Sequence, residues 1–231
     1  MICRPAYRYR ERVLTIFLTR HGQTNESVPD RYLGRRIPAS LSERGRRDAR
    51  ALGERLASVP IDRVISSPLD RARETAQLIV GERKLEVEVD DRMIEFDYGA
   101  WEGMVVADVQ RQMPAEFDMY EANPAIYHVG GGENGQQAAR RAVALIDYLL
   151  EWWAGAGDRT VLLVGHSSIN RVLLAAVTGV PLPDYRRRFV QDWVNLTVLS
   201  WKDVDAGPLL SLVNDMSHVR GTKGDTWLEE P

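Results

Sequence analysis

Six short runs of apolar, often β-branched residues recur along this chain, and helical patterns separate several of them. The runs cover residues 13–18, 61–66, 85–89, 160–164, 194–201 and 209–213, and the helical patterns cover residues 42–58, 68–80, 134–153 and 167–178. Strands that alternate with helices form mostly parallel sheets that are covered on both faces. The pattern predicts a three-layer α/β/α sandwich, in which the closely spaced last two strands add an antiparallel edge strand.

Composition narrows the class of protein. The 231 residues are 44% hydrophobic and carry a formal net charge of −3, which suits one domain with a real core and disfavours nucleic acid as a partner. No run approaches the roughly 18 apolar residues of a membrane span. The one cysteine, Cys3, excludes a disulfide within the chain and fits a reducing compartment. We therefore expect a soluble cytoplasmic protein without a membrane partner; its oligomeric state stays open, with a homodimer as one option.

Three segments depart from the alternating pattern. Residues 1–12 are rich in arginine and residues 220–231 are polar, so both are predicted to be flexible ends of a single domain over residues 13–219. Residues 101–132 contain two X-Pro pairs and three consecutive glycines, which predicts a small helical cap insertion over the site. Five side chains of this cap are candidates either for lining a substrate pocket or for ordinary packing of the cap: Trp101, Met113, Tyr120, Tyr127 and His128.

Basic side chains follow three of the predicted strands. Arg20 and His21 come after the first run, Arg71 lies in the first turn of the helix after the second, and His166 follows the run at 160–164 and opens a helix. Ligands of open α/β sheets bind at the carboxyl ends of the strands, where helix N-termini attract anions and arginines grip phosphate oxygens. The sequence therefore predicts a site for a dianion at this edge of the sheet.

The same edge carries groups that suit phosphoryl transfer. Neutral imidazole is a good nucleophile near pH 7, which makes His21 a candidate for that role. Glu95 lies between two apolar residues and is the candidate general acid, with Asp97 as its rival and Glu102 as a residue that positions the loop. The spacing of histidines and carboxylates matches no metal site, so neither a metal nor another cofactor is predicted.

Six motifs occur in order between residue 13 and about residue 219. They are LTRHGQT at 18–24, LSERG at 41–45, SSPLDRARETA at 66–76, EFDYGAWEG at 95–103, GGE at 131–133 and GH at 165–166. As an ordered set they resemble the histidine phosphatase superfamily, the phosphoglycerate-mutase-like proteins. The segment at 95–103 and the short insertion after it are more similar to the phosphatase branch.

The resemblance implies a role for each matching residue. His21 would become phosphohistidine, Arg20, Arg71 and His166 would hold the phosphoryl group, and Glu95 would protonate the leaving oxygen and then activate water. Further candidates for contact with the phosphate are Gln23, Thr24, Ser27 and Ser167. Ser27 stands where the family usually has asparagine, so either its hydroxyl or Asn25 would supply that contact, and Asn134 replaces the commoner serine.

The predicted function is hydrolysis of a small phosphorylated metabolite by a phosphomonoesterase of the histidine acid phosphatase type. The alternative within the family is a cofactor-dependent phosphoglycerate mutase. A serine hydrolase that uses Ser167, Asp192 or Asp203, and His218 is less favoured, because Ile169 replaces the glycine of a nucleophile elbow. A phosphate-binding module without turnover is also less favoured, because both the histidine and the acid are present.

Overall fold

A six-stranded sheet carries the fold in the computed structural model, which describes residues 12–154 and 156–219. The strands are β1 (Leu14–Arg20), β2 (Arg63–Ser66), β3 (Val87–Val89), β4 (Arg159–Gly165), β5 (Leu196–Trp201) and β6 (Leu209–Asp215). They lie in the order β3-β2-β4-β1-β5-β6; the first four are parallel, and β5 is antiparallel to both of its neighbours. The predicted flexible ends lie outside the described residues, apart from residue 12.

Helices cover both faces of the sheet. They are α1 (Glu43–Arg55), α2 (Asp70–Val80), α3 (Val106–Gln112), α4 (Pro114–Ala122), α5 (Gly135–Trp153), α6 (Ser167–Thr178) and α7 (Tyr185–Arg188). Side chains alternate along β1: Ile16 and Leu18 pack with α5 and α6, whereas Phe17 packs on the opposite side with α1 and α2. The predicted three-layer α/β sandwich is confirmed, and the antiparallel pair β5–β6 forms one edge of it.

Three parallel strands end at the same rim of the sheet. β1 pairs with β4 along its whole length, so that Arg20 lies opposite Gly165. Ser66, at the end of β2, lies opposite Val164 of the same β4. The register therefore brings together the residues that follow these strands, among them His21 and His166.

Helix α2 begins two residues later than the sequence pattern predicts. The Ser67 hydroxyl accepts a hydrogen bond from the Leu69 N–H at 3.3 Å, and the helix starts at Asp70 rather than at Pro68. Arg71 is thus the second residue of α2 and lies in its first turn, at the rim where β2 ends.

Residues 101–132 contain α3 and α4, together with a short 3-10 turn at Val129–Gly131. Trp101 anchors this segment: it is fully buried, and its ring centre lies 5.3 Å from that of Tyr32 and 5.7 Å from that of Tyr120. The segment is thereby packed against the chain that follows β1. In the part of the chain that the structure describes, no helix combines the length and the apolar character that crossing a bilayer requires.

Candidate active site

His21 stands directly after β1 and is almost fully buried. Its backbone N–H donates to the Gly165 carbonyl at 3.0 Å, which ties the end of β1 to the end of β4. Ring Nδ1 lies 2.7 Å from the Gly22 carbonyl oxygen, so Nδ1 carries the proton and Nε2 keeps a free lone pair. Burial lowers the pKa of His21 well below its ordinary value, and Arg71 and Arg20 lower it further. The imidazole is therefore neutral at pH 7.

Arg20 and Arg71 lie close to this imidazole, and neither guanidinium is fully satisfied. Arg20 donates through Nη1 to the Gln191 carbonyl at 2.8 Å, and its Cζ lies 5.1 Å from the centre of the Trp193 ring. Arg71 donates through Nη2 to the Gly34 carbonyl at 2.7 Å. Within residues 12–154 and 156–219, the buried Nε of each arginine has no hydrogen-bond partner. Both arginines therefore keep N–H groups that can donate to an anion.

His166 is fully buried, and its ring centre lies 5.0 Å from that of His21. Nε2 of His166 lies 2.7 Å from the Ser67 hydroxyl, which also accepts the Leu69 N–H. This contact fits the tautomer in which the hydroxyl donates to Nε2. Nδ1 of His166 then carries the ring proton, and this buried atom has no partner among the described residues. Burial lowers the pKa of His166 well below its ordinary value, and Arg71 lowers it further, so the ring is a neutral donor.

The Glu95 carboxylate is buried and accepts three backbone N–H groups. Oε1 accepts from Phe96 at 2.9 Å and from Ile169 at 3.1 Å, and Oε2 accepts from Ser168 at 3.1 Å. Two of these donors belong to the first turn of α6, where the sequence suggested a site for the substrate anion. Glu95 occupies these amides instead, because a buried carboxylate needs donors of its own.

The backbone of Glu95 is also held in place. Its carbonyl accepts from Nε of Arg35 at 2.7 Å and from Nη2 of Arg141 at 3.3 Å. Glu133 pairs with both arginines, at 2.5 Å and 2.7 Å. The glutamate of the GGE motif therefore acts on Glu95 through two arginines.

The two other carboxylates of the 95–103 segment serve the loop. Asp97 pairs with Arg36 at 3.0 Å and accepts the Gly99 N–H at 2.8 Å, and with these bonds its pKa lies below the ordinary value even though burial opposes the shift. Glu102 accepts the backbone N–H groups of Arg35 at 3.0 Å and Arg36 at 2.7 Å. Neither carboxylate lines the cavity described next, so the geometry favours Glu95 as the candidate acid.

A cavity of about 190 Å³ opens over His21, the two arginines and Glu95, whereas the fully buried His166 does not line it. The predicted site residues that line it are Arg20, His21, Ser27, Arg71, Glu95 and Ser167. Gln23 and Thr24 do not line it, because their side chains are used within the loop: Gln23 Oε1 accepts from Ser42, and the Thr24 hydroxyl lies 2.8 Å from that of Ser27. Asn25 is exposed and does not line it either.

Of the predicted cap residues, Tyr120 alone lines this cavity. Trp101 is fully buried in the core, and Met113 packs against the same core. Tyr127 also packs there, and His128 bonds through Nδ1 to the Gly132 carbonyl at 3.0 Å on the exposed side. Of the two alternatives left open by the sequence, Tyr120 lines the cavity, whereas packing against the core applies to Trp101, Met113 and Tyr127.

Several lining residues were missed by the sequence reasoning. They are Tyr32, Tyr98, Ser168, Arg171 and Arg186, together with Asp30 and Arg31. Spacing could have pointed to Arg171, since it lies one helical turn after Ser167 and therefore on the same face of α6. Ser168 also lies on α6, directly after Ser167, and the others come from loops and from α7, where local patterns give no such signal. Among the described residues, no group of three or more His, Cys, Asp or Glu side chains could hold a metal ion.

The partners of a serine hydrolase are not assembled in the described part of the chain. His218 bonds to the Val194 carbonyl at 2.8 Å and lies 3.3 Å from Arg55. Asp192 accepts from the Asn214 amide at 2.8 Å. Both of these residues are thus engaged away from Ser167, and Asp203 bonds within its own turn.

Sequence comparison gives a family match over most of the chain. The sequence model of the histidine phosphatase superfamily (branch 1) matches residues 16–215. This span contains each strand-end residue described above.

Individual proteins agree with this match. Phosphoserine phosphatase 1 of Hydrogenobacter thermophilus is 32% identical over 75% of this chain and 80% of its own length. Glucosyl-3-phosphoglycerate phosphatase of Mycolicibacterium vanbaalenii is 32% identical over 75% of this chain and 78% of its own length. The native structure of a mycobacterial glucosyl-3-phosphoglycerate phosphatase superposes with a TM-score of 0.78 at 30% identity, covering 88% of this chain and 99% of that one.

Proposed function

The chain belongs to the histidine phosphatase superfamily (branch 1), and we propose that it hydrolyses a small phosphomonoester through a phosphohistidine formed on His21. One observation carries the proposal: a neutral imidazole with a free Nε2 lies beside two arginines that still have N–H groups to donate. Phosphoryl transfer asks mainly for positioning of the reactants and for charge stabilisation on the phosphoryl oxygens.

In the first step, Nε2 of His21 attacks phosphorus, the P–N bond forms and the ester P–O bond breaks. Arg20 and Arg71 donate to the phosphoryl oxygens, and Nδ1–H of His166 adds a neutral donor. Glu95 enters this step in its protonated form and gives that proton to the departing oxygen, which leaves as an alcohol while Glu95 is left as the carboxylate.

In the second step, Glu95 takes a proton from water, whose oxygen attacks phosphorus. The P–N bond breaks, and inorganic phosphate and neutral His21 result. The Gly22 carbonyl holds the Nδ1 proton of His21 throughout, which keeps Nε2 as the reacting nitrogen. No step draws on a metal or another cofactor.

We assign the other predicted phosphate contacts by where they lie. Ser27 and Ser167 line the cavity and can donate to the substrate, with Ser27 in the role that asparagine has elsewhere in the family. Gln23 and Thr24 support the loop after His21 instead of binding substrate.

We favour the phosphatase reaction over the mutase reaction. The relatives described above are named phosphatases, and the two names specify phosphoserine and glucosyl-3-phosphoglycerate. The substrate of this chain is likewise a small phosphorylated metabolite. We also propose that the protein acts in the cytoplasm, where the single cysteine would stay reduced.

The test of the nucleophile is acid-quenched labelling during hydrolysis of p-nitrophenyl phosphate. The variant His21→Ala is expected to form no phosphoenzyme and to lose turnover, while wild-type protein gives an acid-labile phosphohistidine. His128→Ala, which removes an exposed histidine that does not line the cavity, should behave as wild type. A normal level of phosphoenzyme in His21→Ala would refute the assignment, and inhibition by a fluorophosphonate but not by vanadate would favour a serine hydrolase.

A further inference from the structure

The cavity holds more positive charge than the transferred phosphoryl group requires. Five arginines line it, at positions 20, 31, 71, 171 and 186, against two carboxylates, Asp30 and Glu95. The proposed reaction uses Arg20 and Arg71. The remaining three arginines need a separate explanation, because buried charges are costly unless they are paired.

Two of the three are held by the protein. Arg31 donates through Nη1 to the Gly103 carbonyl at 3.1 Å. Arg186 pairs with Glu121, and its Cζ lies 4.6 Å from the centre of the Tyr120 ring. These contacts hold both side chains in the cavity wall. Arg186 has a carboxylate partner, and Arg31 has a carbonyl partner.

Arg171 differs from the other four lining arginines. Among the described residues it forms no hydrogen bond and no ion pair, and its Nε is buried without a partner. It is only partly exposed, so bulk water does not fully solvate it. A guanidinium without a partner in residues 12–154 and 156–219 is a candidate binding group for an anion of the substrate.

Arg171 adjoins the phosphoryl-binding set. It lies on α6 one turn beyond Ser167, on the same face of the helix. It is near enough to Arg20 to lower the pKa of that guanidinium, which burial and this second charge bring to about 10. An anion bound by Arg171 would therefore lie beside the phosphoryl group, on the substrate's leaving group.

We propose that Arg171 is a specificity-determining residue that binds a carboxylate on the leaving group of the substrate. The inference rests on the proposed phosphatase function and adds a substrate class to it: small phosphomonoesters of hydroxy acids or amino acids. A planar guanidinium matches a carboxylate with two parallel hydrogen bonds. The cavity of about 190 Å³ suits a small leaving group.

A single arginine fits a carboxylate better than a second phosphate. Two arginines and a histidine donor are proposed to bind the phosphoryl dianion. Arg171 is a single cation, which matches the single negative charge of a carboxylate. Tyr32 also lines the cavity, and its buried hydroxyl has no partner in the described chain, so it is a further donor that the substrate can use. Burial raises the pKa of Tyr32, which keeps this hydroxyl protonated.

The test compares two ligands of nearly equal size that differ in the carboxylate. We would measure by calorimetry the affinity of 3-phosphoglycerate and of glycerol 3-phosphate for His21→Ala protein, which cannot turn them over. The carboxylate should improve affinity about ten- to hundredfold, the usual effect of a charge-assisted bidentate pair. Adding Arg171→Gln should remove this preference, and Arg171→Lys should keep part of it.

Arg140→Gln is the matched control, because it removes one positive charge from an exposed position on α5 and should leave the ratio of the two affinities intact. Equal affinity for both ligands, or a preference that survives Arg171→Gln in a folded protein, would overturn the inference. Thermal unfolding checks that each variant is folded. If Arg171→Gln is not folded, Arg171→Lys still tests the inference, because it should keep only part of the preference for the carboxylate. Because the readout is binding, its failure is distinct from failure of the phosphohistidine reaction.

Discussion

Two carboxylates that are two residues apart in the sequence have different surroundings. Glu95 is buried, lines the cavity and accepts backbone N–H groups from α6. Asp97 is partly exposed and bound to Arg36. The sequence left both open as the general acid, because it shows neither which side chain reaches the cavity nor which one finds a basic partner.

We predict that Glu95→Gln slows phosphoenzyme formation and that the loss depends on the leaving group. Losing a general acid costs about 10² to 10⁴ in rate when the leaving oxygen needs a proton. The loss should approach that range for an alkyl phosphate and be much smaller for p-nitrophenyl phosphate, which leaves without protonation. Rapid-quench labelling with both substrates measures this first step alone.

Asp97→Asn serves as the comparison, since it alters a carboxylate in the same loop without touching the cavity. We expect it to slow both substrates equally or not at all. A loss in Glu95→Gln that is the same for both leaving groups would assign Glu95 a purely structural role.

Residues such as His21, Arg71 and His166 could be predicted because each directly follows a strand, or opens the helix after it, in a local pattern. The acceptor for the His21 proton could not, since Gly22 presents a backbone carbonyl, which has no sequence signature. Arg171 was missed for a different reason: its importance comes from the lack of a partner among the described residues, and a lack of partners is visible only in three dimensions.

At the level of elements, the loop after β1 packs directly on the first turn of α1. A Cβ placed on Gly45 would lie 2.2 Å from the Gln23 carbonyl oxygen, and one on Gly22 would lie 2.8 Å from that of Gly45. The Ser42 hydroxyl caps this turn by accepting the Gly45 N–H at 3.1 Å. The LSERG motif thus lets a helix N-terminus approach the backbone that carries His21.

We predict that Gly45→Ala destabilises the protein, although alanine is the better helix former. In an open helical position the change would stabilise by up to about 1 kcal/mol, but contact with Gln23 reverses the sign and costs about 1–3 kcal/mol. Urea unfolding gives the free-energy change, and kcat should fall as well because the displaced backbone adjoins His21. Gly157→Ala, where nothing lies within 4 Å of the added Cβ, should not destabilise; an unchanged or higher midpoint in Gly45→Ala would contradict the close approach.

The elements themselves show where sequence patterns succeed. Strands β1 and β4 are buried on both faces and are preceded or followed by clear turns, so their positions agree with the predicted runs to within two residues at each end. Strand β3 is shorter than predicted, at Val87–Val89, because an edge strand pairs on one side and its ends are weakly held. For the cap residues the sequence left both pocket lining and ordinary packing open, because an aromatic side chain that anchors a segment and one that lines a cavity look alike in a sequence.

At the scale of the whole molecule, the family and the enzyme class followed from the order of six modest motifs. That prediction is confirmed by the family match and by relatives that are named as phosphatases of small phosphorylated metabolites. The identity of the substrate could not be predicted from the motifs. They supply the residues proposed to bind the phosphoryl group, whereas the residues proposed to surround the leaving group come from α6, α7 and the loop after β1.

The buried histidines also affect the stability of the whole molecule. The pKa values of His21, His166 and His218 all lie below the ordinary value of 6.5, chiefly because of burial. Above that pH neither the folded nor the unfolded chain protonates them. Below it the unfolded chain takes up protons that the folded chain refuses, so the free energy of unfolding falls as the pH falls.

We therefore predict that the protein loses stability between about pH 7 and pH 5, by up to about 1.4 kcal/mol per pH unit for each histidine. The carboxylate of Asp215 does not cause this loss. Its pKa is lowered from 3.8 to about 2, with Arg55 and Ser217 bonded to the carboxylate, so its contribution to stability is lost only below pH 5. Urea unfolding at a series of pH values measures how the free energy of unfolding changes with pH. His166→Gln should make this change smaller, because it removes one histidine that takes up a proton only in the unfolded chain. A free energy of unfolding that stays constant from pH 7 to pH 5 would mean that the folded protein binds as many protons as the unfolded chain, which would contradict the lowered pKa values of these rings.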